Sequence, residues 1–528
     1  MITTLIEGAA LYDGISTSPV QTDVGLVGDR VALIGALGDR DAVHRIDGTG
    51  LALAPGFIDV HSHSDELWLV DPRCEGKIVQ GVTTEIGGNC GSSVAPLYGL
   101  AYDRRREDLA TFGLEAEWRD LDQFFDLVAR GRVALNVATL VGLGTTRRCV
   151  RGDREGRLEA AELRAETEYV RAAIEQGALG VSSGLIYTPS RYADVDELAA
   201  CAAEARVAGA ARYVSHIRDE GDAFLEAVDE GLEVARRGEV AVQFSHHKAA
   251  GKKNWGKVHR SLAALDTARD RSGLAVSADV YPYTASWTDL VTILPDQIRD
   301  GGREATLERL TDPATAASIA LGLELDWNGL WNDILITTLA TSKNDELAGL
   351  RIGEIAQRWG LPPARAAIRL LVEERLEPQA IFFTMSEDDV AAVLSASFTC
   401  IGSDASARAL AGPTARGLPH PRTFGCFPRV FGRFVRGRHT LDVGEAIRRM
   451  TSLPAEIFGL RERGRIAKGY YADLVLFDPA TIVDTATYEK PYAYPSGISA
   501  VWVNGEVVVR DGTPTGTLPG RVLRGGRA

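Results

Sequence analysis

Between about residues 55 and 460 the chain alternates short apolar segments with longer amphipathic ones, eight times over. Few folds accept that rhythm. The apolar segments are Phe57–Val60, Val82–Ile86, Leu135–Leu140, Ala178–Ser183, Ala211–Ser215, Val240–Ser245, Leu274–Ala278 and Thr399–Gly402. Helical patterns lie between them, among them Leu158–Glu175, Glu220–Arg237 and Lys257–Arg271. Strands separated by helices pair in parallel. Eight such units predict an α/β chain folded as a (β/α)8 TIM barrel.

Two departures from the rhythm set the domain plan. The interval between Ala278 and Thr399 is too long for one crossover helix and contains two further apolar runs, Leu335–Leu339 and Ile381–Met385. They read either as strands of an insertion or as alternative barrel strands. We expect an insertion before the last barrel strand, within about 287–345, on the loop side where it would cover an active site. Both ends of the chain are β-rich. Thr3–Ile6, Gln21–Val27 and Arg30–Ile34 lie at one end, Asp473–Phe477 and Val501–Val509 at the other, the last with an Asn504-Gly505 hairpin turn. The expectation is a small β-sandwich domain built from 1–54 and 462–528 around a barrel over 55–461.

A formal net charge of −14 argues against nucleic acid or an anionic membrane as partner and leaves a small-molecule substrate. The six cysteines, Cys74, Cys90, Cys149, Cys201, Cys400 and Cys426, show no paired spacing and read as reduced thiols. No charged segment followed by an apolar core opens the chain, and no window approaches 18 uninterrupted apolar residues. A cytoplasmic protein is the expectation.

In a barrel, functional groups sit at the C-terminal ends of the strands. The polar residues there form a pattern. Strand one ends in His61 and His63, which alternation turns to one side. Cys90 lies just past strand two, His216 at the end of strand five, His246 and His247 at the end of strand six, and Asp404 after strand eight. Singly each has an ordinary explanation: a wet strand end, a small buried thiol, a helix cap. Together they make a first shell for one or two Zn²⁺ ions. His246 and His247 compete, because only one can face the barrel axis. His246 is preferred because Ser245-His246 repeats the form of Ser215-His216, and Lys248 would then share its side.

These motifs resemble a known family. Pro55-Gly-Phe-Ile-Asp-Val-His-Ser-His63, Gly87-Gly-Asn-Cys-Gly91, Ser215-His-Ile-Arg218, Ser245-His-His-Lys248, Asp279-Val-Tyr-Pro-Tyr283 and Ile401-Gly-Ser-Asp404 are similar to the amidohydrolase superfamily, and within it to the N-acyl-D-amino-acid deacylases, or D-aminoacylases. The tail Gly469–Asp478 extends the likeness to nearly the whole chain. His-X-His marks only the superfamily; Gly-Asn-Cys-Gly marks the branch. The resemblance implies that His61 and His63 hold a first metal with Asp404, that Cys90 bridges, and that His216 and His246 complete a second site. It implies one tight zinc, with a second and weaker site. It makes Asp404 the catalytic carboxylate, acting as general base and then acid on a metal-activated water, and Lys248, Tyr281 and Arg422 the substrate-carboxylate binders. Arg422 follows a loop, Ala405–Gly417, longer than the resemblance implies.

The implied reaction is cleavage of the amide bond of an N-acyl-D-amino acid to a carboxylate and a free D-amino acid. The alternative is another amidohydrolase reaction: opening of a cyclic amide such as a hydantoin, hydrolysis of a carbamate, or deacylation of a different amine. Two further roles stay open from the residues alone. Arg218 and Glu220 either orient ligands or form an ion pair at a helix start, and Trp287 is placed as a wall of an acyl or side-chain pocket.

Overall fold

The computed structural model describes residues 1–526. Eight parallel strands form the expected barrel: Phe57–Asp59, Val82–Gly87, Asn136–Thr139 continued by Val141–Gly142, Val181–Gly184, Arg212–His216, Ala241–Phe244, Val276–Val280 and Thr399–Ile401. Every residue of strands two, three, four and seven is buried. That is the burial expected of a parallel sheet wrapped by helices, and it explains the near-continuous apolar runs.

The seam between strands one and eight is narrow. It consists of a parallel bridge between Ser62 and Ala405, a bond of 2.8 Å from the Asp404 amide to the His61 carbonyl, and one of 3.2 Å from the His63 amide to the Ala405 carbonyl.

Strands from both termini form one nine-stranded sheet. Ala52–Pro55 lies at its centre, pairing in parallel with Ile2–Leu11 and antiparallel with Leu474–Phe477. Ile6, Leu26, Leu53, Leu474 and Trp502 fill its core. Ala52–Pro55 runs directly into the first barrel strand through Gly56, so this sheet anchors the strand that carries His61 and His63.

The long interval holds a separate antiparallel sheet of Ser286–Asp289, Gln379–Phe382 and Ile334–Thr338, in that order. Its core, including Leu290, Leu323, Ile336, Ile355 and Leu370, is distinct from that of the barrel. The span 287–345 expected for an insertion contains Ile334–Thr338 and most of Ser286–Asp289; the central strand, Gln379–Phe382, lies beyond it. Both ambiguous apolar runs belong to this sheet and not to the barrel. The helix expected over 220–237 begins at Phe224, because residues 220–223 form a loop whose Glu220 is drawn to Lys248.

Candidate metal centre

The strand ends converge on one cluster. His61 Nε2 lies 3.2 Å from Cys90 Sγ and 3.4 Å from Asp404 Oδ1, and His63 Nε2 lies 3.0 Å from the same carboxylate oxygen. Cys90 Sγ is 3.7 Å from His246 Nε2, which is 2.9 Å from His216 Nδ1. Two groups of donor atoms result, His61–His63–Cys90–Asp404 and Cys90–His216–His246, each within 4.8 Å and sharing the thiol.

Local backbone sets this convergence. Cys90, His246 and Asp404 all have left-handed backbone, with φ of 51°, 34° and 50°. That conformation is costly for residues with a Cβ and occurs where the surroundings over-determine it. Glycines give the room. A Cβ on Gly184 would lie 2.1 Å from the Cys90 carbonyl, and one on Gly402 2.6 Å from His61 Cβ.

The electrostatics favour ionised ligands. Burial alone would raise the Cys90 thiol, but His61 and hydrogen bonds from His216, His246 and His61 bring it well below its ordinary range. Burial would likewise raise Asp404. The Arg422 guanidinium, at 2.9 Å from Oδ2, together with His246, His61 and the bond from His63 outweighs it and keeps the carboxyl ionised. Two features of the donor set fit a cation of the zinc class. A soft thiolate, imidazoles and a carboxylate are its ligands. Moreover, His216 Nδ1 and His246 Nε2 face each other, a contact that needs one proton between them or a shared positive charge, and buried His216 Nε2 has no hydrogen-bond partner among the described residues.

A sequence pattern of the amidohydrolase family matches residues 45–509. The chain belongs to the amidohydrolase family. It is 37% identical over 522 residues to the N-acyl-D-glutamate deacylase of Alcaligenes xylosoxydans xylosoxydans, covering 98% of this chain and 96% of that one. It is 35% identical over 520 residues to the D-aminoacylase of the same organism, covering 98% and 97%. The crystal structure of the N-acyl-D-glutamate deacylase of Bordetella bronchiseptica, complexed with zinc and a phosphonate inhibitor that mimics the tetrahedral intermediate, superposes with a TM-score of 0.83 at 35% identity over 99% of both chains. The chain is thus a metal-dependent amidohydrolase of the D-aminoacylase family. D-hydantoinase, at 15% identity and a TM-score of 0.55, shares the fold alone.

In this amidohydrolase His61, His63, Cys90, His216, His246 and Asp404 all reach the cluster. His247 points away and bonds Ser261 Oγ at 2.8 Å. A cleft of about 550 Å³ opens over the cluster and is lined by Lys248, Trp287, Arg408 and Arg422 among others. Lys248 Nζ bonds His246 Nδ1 at 2.9 Å and pairs with Glu220. Of the pair left open by the sequence, Glu220 therefore serves the site, whereas Arg218 turns to Glu230 at 2.8 Å. Tyr281 is buried outside the cleft lining. Its ring lies 4.4 Å from Arg422 and 5.8 Å from Lys248, and its hydroxyl donates to Met385 Sδ instead of entering the cleft.

Sequence reasoning quoted Asp279 only as the start of a motif and gave it no role. Its carboxylate accepts from His61 Nδ1 at 3.1 Å, from the His246 amide at 2.8 Å and from Gln243 at 2.9 Å. One carboxylate therefore orients two ligands from different strands, and it fixes the His61 tautomer so that Nε2 faces the cluster. The signal was available: an acidic residue inside the fully buried strand Val276–Val280.

Proposed function

We propose that this chain hydrolyses N-acyl-D-amino acids to a carboxylate and a free D-amino acid. The observation that carries the reading is Asp404, which touches both ligand histidines His61 and His63 on one oxygen and a cleft-facing arginine on the other. Zinc would be held by His61, His63, Cys90 and Asp404, with a weaker second site at Cys90, His216 and His246. When bound it lowers the pKa of water toward neutrality and polarises the scissile carbonyl.

The protein's own residues do the rest. Asp404 accepts the proton of the attacking water and returns it to the departing amine. Arg422 receives the α-carboxylate of the substrate. Its Nε and Nη1 are buried and lack hydrogen-bond partners among the described residues, and a planar guanidinium matches a carboxylate with two parallel bonds. Lys248 adds charge beside it, and Tyr281 braces both cations from below. We also propose a division into a terminal β domain, a barrel, and an insertion over about 286–382, and a cytoplasmic location in keeping with six free cysteines. Among the described residues no helix is long and apolar enough to cross a membrane.

The test is zinc-loaded protein assayed on matched N-acetyl-D- and N-acetyl-L-amino acids, with hydantoin and dihydrouracil as controls. Hydrolysis of the D-series is expected. Turnover of the cyclic amides alone would overturn the reading.

A further inference from the structure

Four basic side chains and four carboxylates, Glu66, Glu220, Asp289 and Asp404, line the cleft, and one of the cations stands apart from the acids. Lys248 pairs with Glu220, Arg148 with Asp153 at 2.7 Å, and Arg422 with Asp404. Arg408 has no carboxylate within 4.0 Å among the described residues. Its guanidinium meets only neutral groups, Nε bonding Ser406 Oγ at 3.4 Å and Nη1 the Arg416 carbonyl at 2.6 Å, with the Tyr492 hydroxyl beside them. It lies over the Trp287 ring, 5.4 Å from the centroid. Burial lowers its pKa below the ordinary arginine value, although no loss of charge follows for a guanidinium. A partly buried cation without a counter-ion is expensive, and it faces the space a substrate enters.

The loop that carries it is built to hold it there. Ala407 N bonds Ser64 Oγ at 2.7 Å, the Arg408 carbonyl accepts from Gly76 N at 2.7 Å, and Ala409 N bonds Thr414 Oγ1 at 3.1 Å. Thr414 in turn donates to buried Asp71 at 3.2 Å. This is the stretch Ala405–Gly417 that is long in the sequence. Trp287 links the two cations: its ring underlies Arg408, and its carbonyl lies 3.4 Å from Arg422 Nη2.

We propose that Arg408 is a specificity-determining residue that binds a second carboxylate on the substrate, while Arg422 binds the α-carboxylate. The preferred substrates are therefore dianionic N-acyl-D-amino acids. The second carboxylate comes either from an acidic amino-acid side chain or from a dicarboxylic acyl group. The inference rests on the deacylase reading above.

The experiment measures kcat/KM for N-acetyl-D-glutamate, N-acetyl-D-aspartate and N-succinyl-D-alanine against N-acetyl-D-methionine. Wild type is expected to favour at least one dianion. Arg408→Gln lowers the dianion-to-monoanion ratio on the order of 30-fold, mainly through KM, as loss of one charge-assisted pair does. Arg408→Lys restores part of it. Leu410→Ala, at the exposed turn of the same loop, keeps the wild-type ratio, which separates charge from loop disturbance. The arm that responds identifies the source of the carboxylate. A wild-type preference for the monoanionic N-acetyl-D-methionine, or an equal loss on every substrate in Arg408→Gln, overturns the inference and leaves the deacylase reading standing. Absence of turnover on the whole D-series overturns both.

Discussion

Two buried charged clusters lie within a few residues of each other at the barrel mouth, and they are built on opposite plans. Beneath the ligands, Lys77 Nζ has four oxygens within reach: Asp59 at 2.7 Å, Ser403 and the Ala405 carbonyl at 2.8 Å, and Glu85 at 2.9 Å. Glu85 also accepts from Ser62, Ser64 and Trp68. Nothing in that network lacks a partner. Above it, among the described residues, His216 Nε2 and Arg422 Nε and Nη1 are buried without one, and Arg408 has no carboxylate within 4.0 Å. The lower cluster is complete without a ligand; the upper one is complete only with a ligand. Satisfied polar networks rigidify, and unsatisfied ones mark what is meant to bind.

The comparison can be broken by experiment. Lys77→Met should have the largest effect, leaving Asp59 and Glu85 buried without a cation at a cost of about 3–5 kcal/mol. A denaturant midpoint close to wild type would show the lower network to be dispensable. Asp404→Asn should leave the fold intact and lower kcat by on the order of 100-fold or more, with zinc content retained by metal analysis. Wild-type turnover would remove Asp404 from proton transfer. Cys90→Ala should weaken zinc binding by at least about tenfold, read by competition with a chelator; unchanged affinity would exclude the thiolate as a ligand.

The smallest effect concerns His247, the neighbour of a ligand that belongs to the interior. Burial, with Lys248 next, lowers its pKa to about 4. Among the described residues its Nδ1 has no acceptor, so a proton there would have no partner. The unfolded chain takes up that proton near pH 6.5, and the folded chain does not. Stability should therefore fall as the pH drops from 6.5 toward 4, by about 1–2 kcal/mol between pH 7 and 5. His247→Phe, seated between Phe224 and Phe244, should flatten that slope. Identical slopes in both proteins would refute the assignment.

The barrel was legible because parallel strands buried on both faces write themselves as apolar runs, and each expected strand lies within a few residues of an observed one. The ligands were legible because histidine is scarce and strand ends are fixed points of the fold. Other features left weaker marks. Asp279 acts from inside a strand, where sequence reading attends to apolar residues. The three-stranded sheet pairs Ser286–Asp289 with Gln379–Phe382 across a helical stretch, and no local pattern encodes such distant partners. Glu220 was visible as a charge, but its partner Lys248 is set by tertiary placement. The place of Arg408 depends on a loop without periodicity, held by single bonds to Ser64 and Gly76.

The narrow seam of the barrel has a consequence for synthesis. His63 and Asp404 are 341 residues apart, and the bonds that join strands one and eight are also those that set the first group of ligands side by side. Contacts of such separation form late, after the loop entropy between them has been overcome. A chain still emerging from the ribosome therefore carries His61 and His63 for most of its translation without the carboxylate that makes them useful. The first group of ligands is complete only with the eighth strand in place, so a chain truncated before Asp404 keeps most of the barrel sequence without the carboxylate.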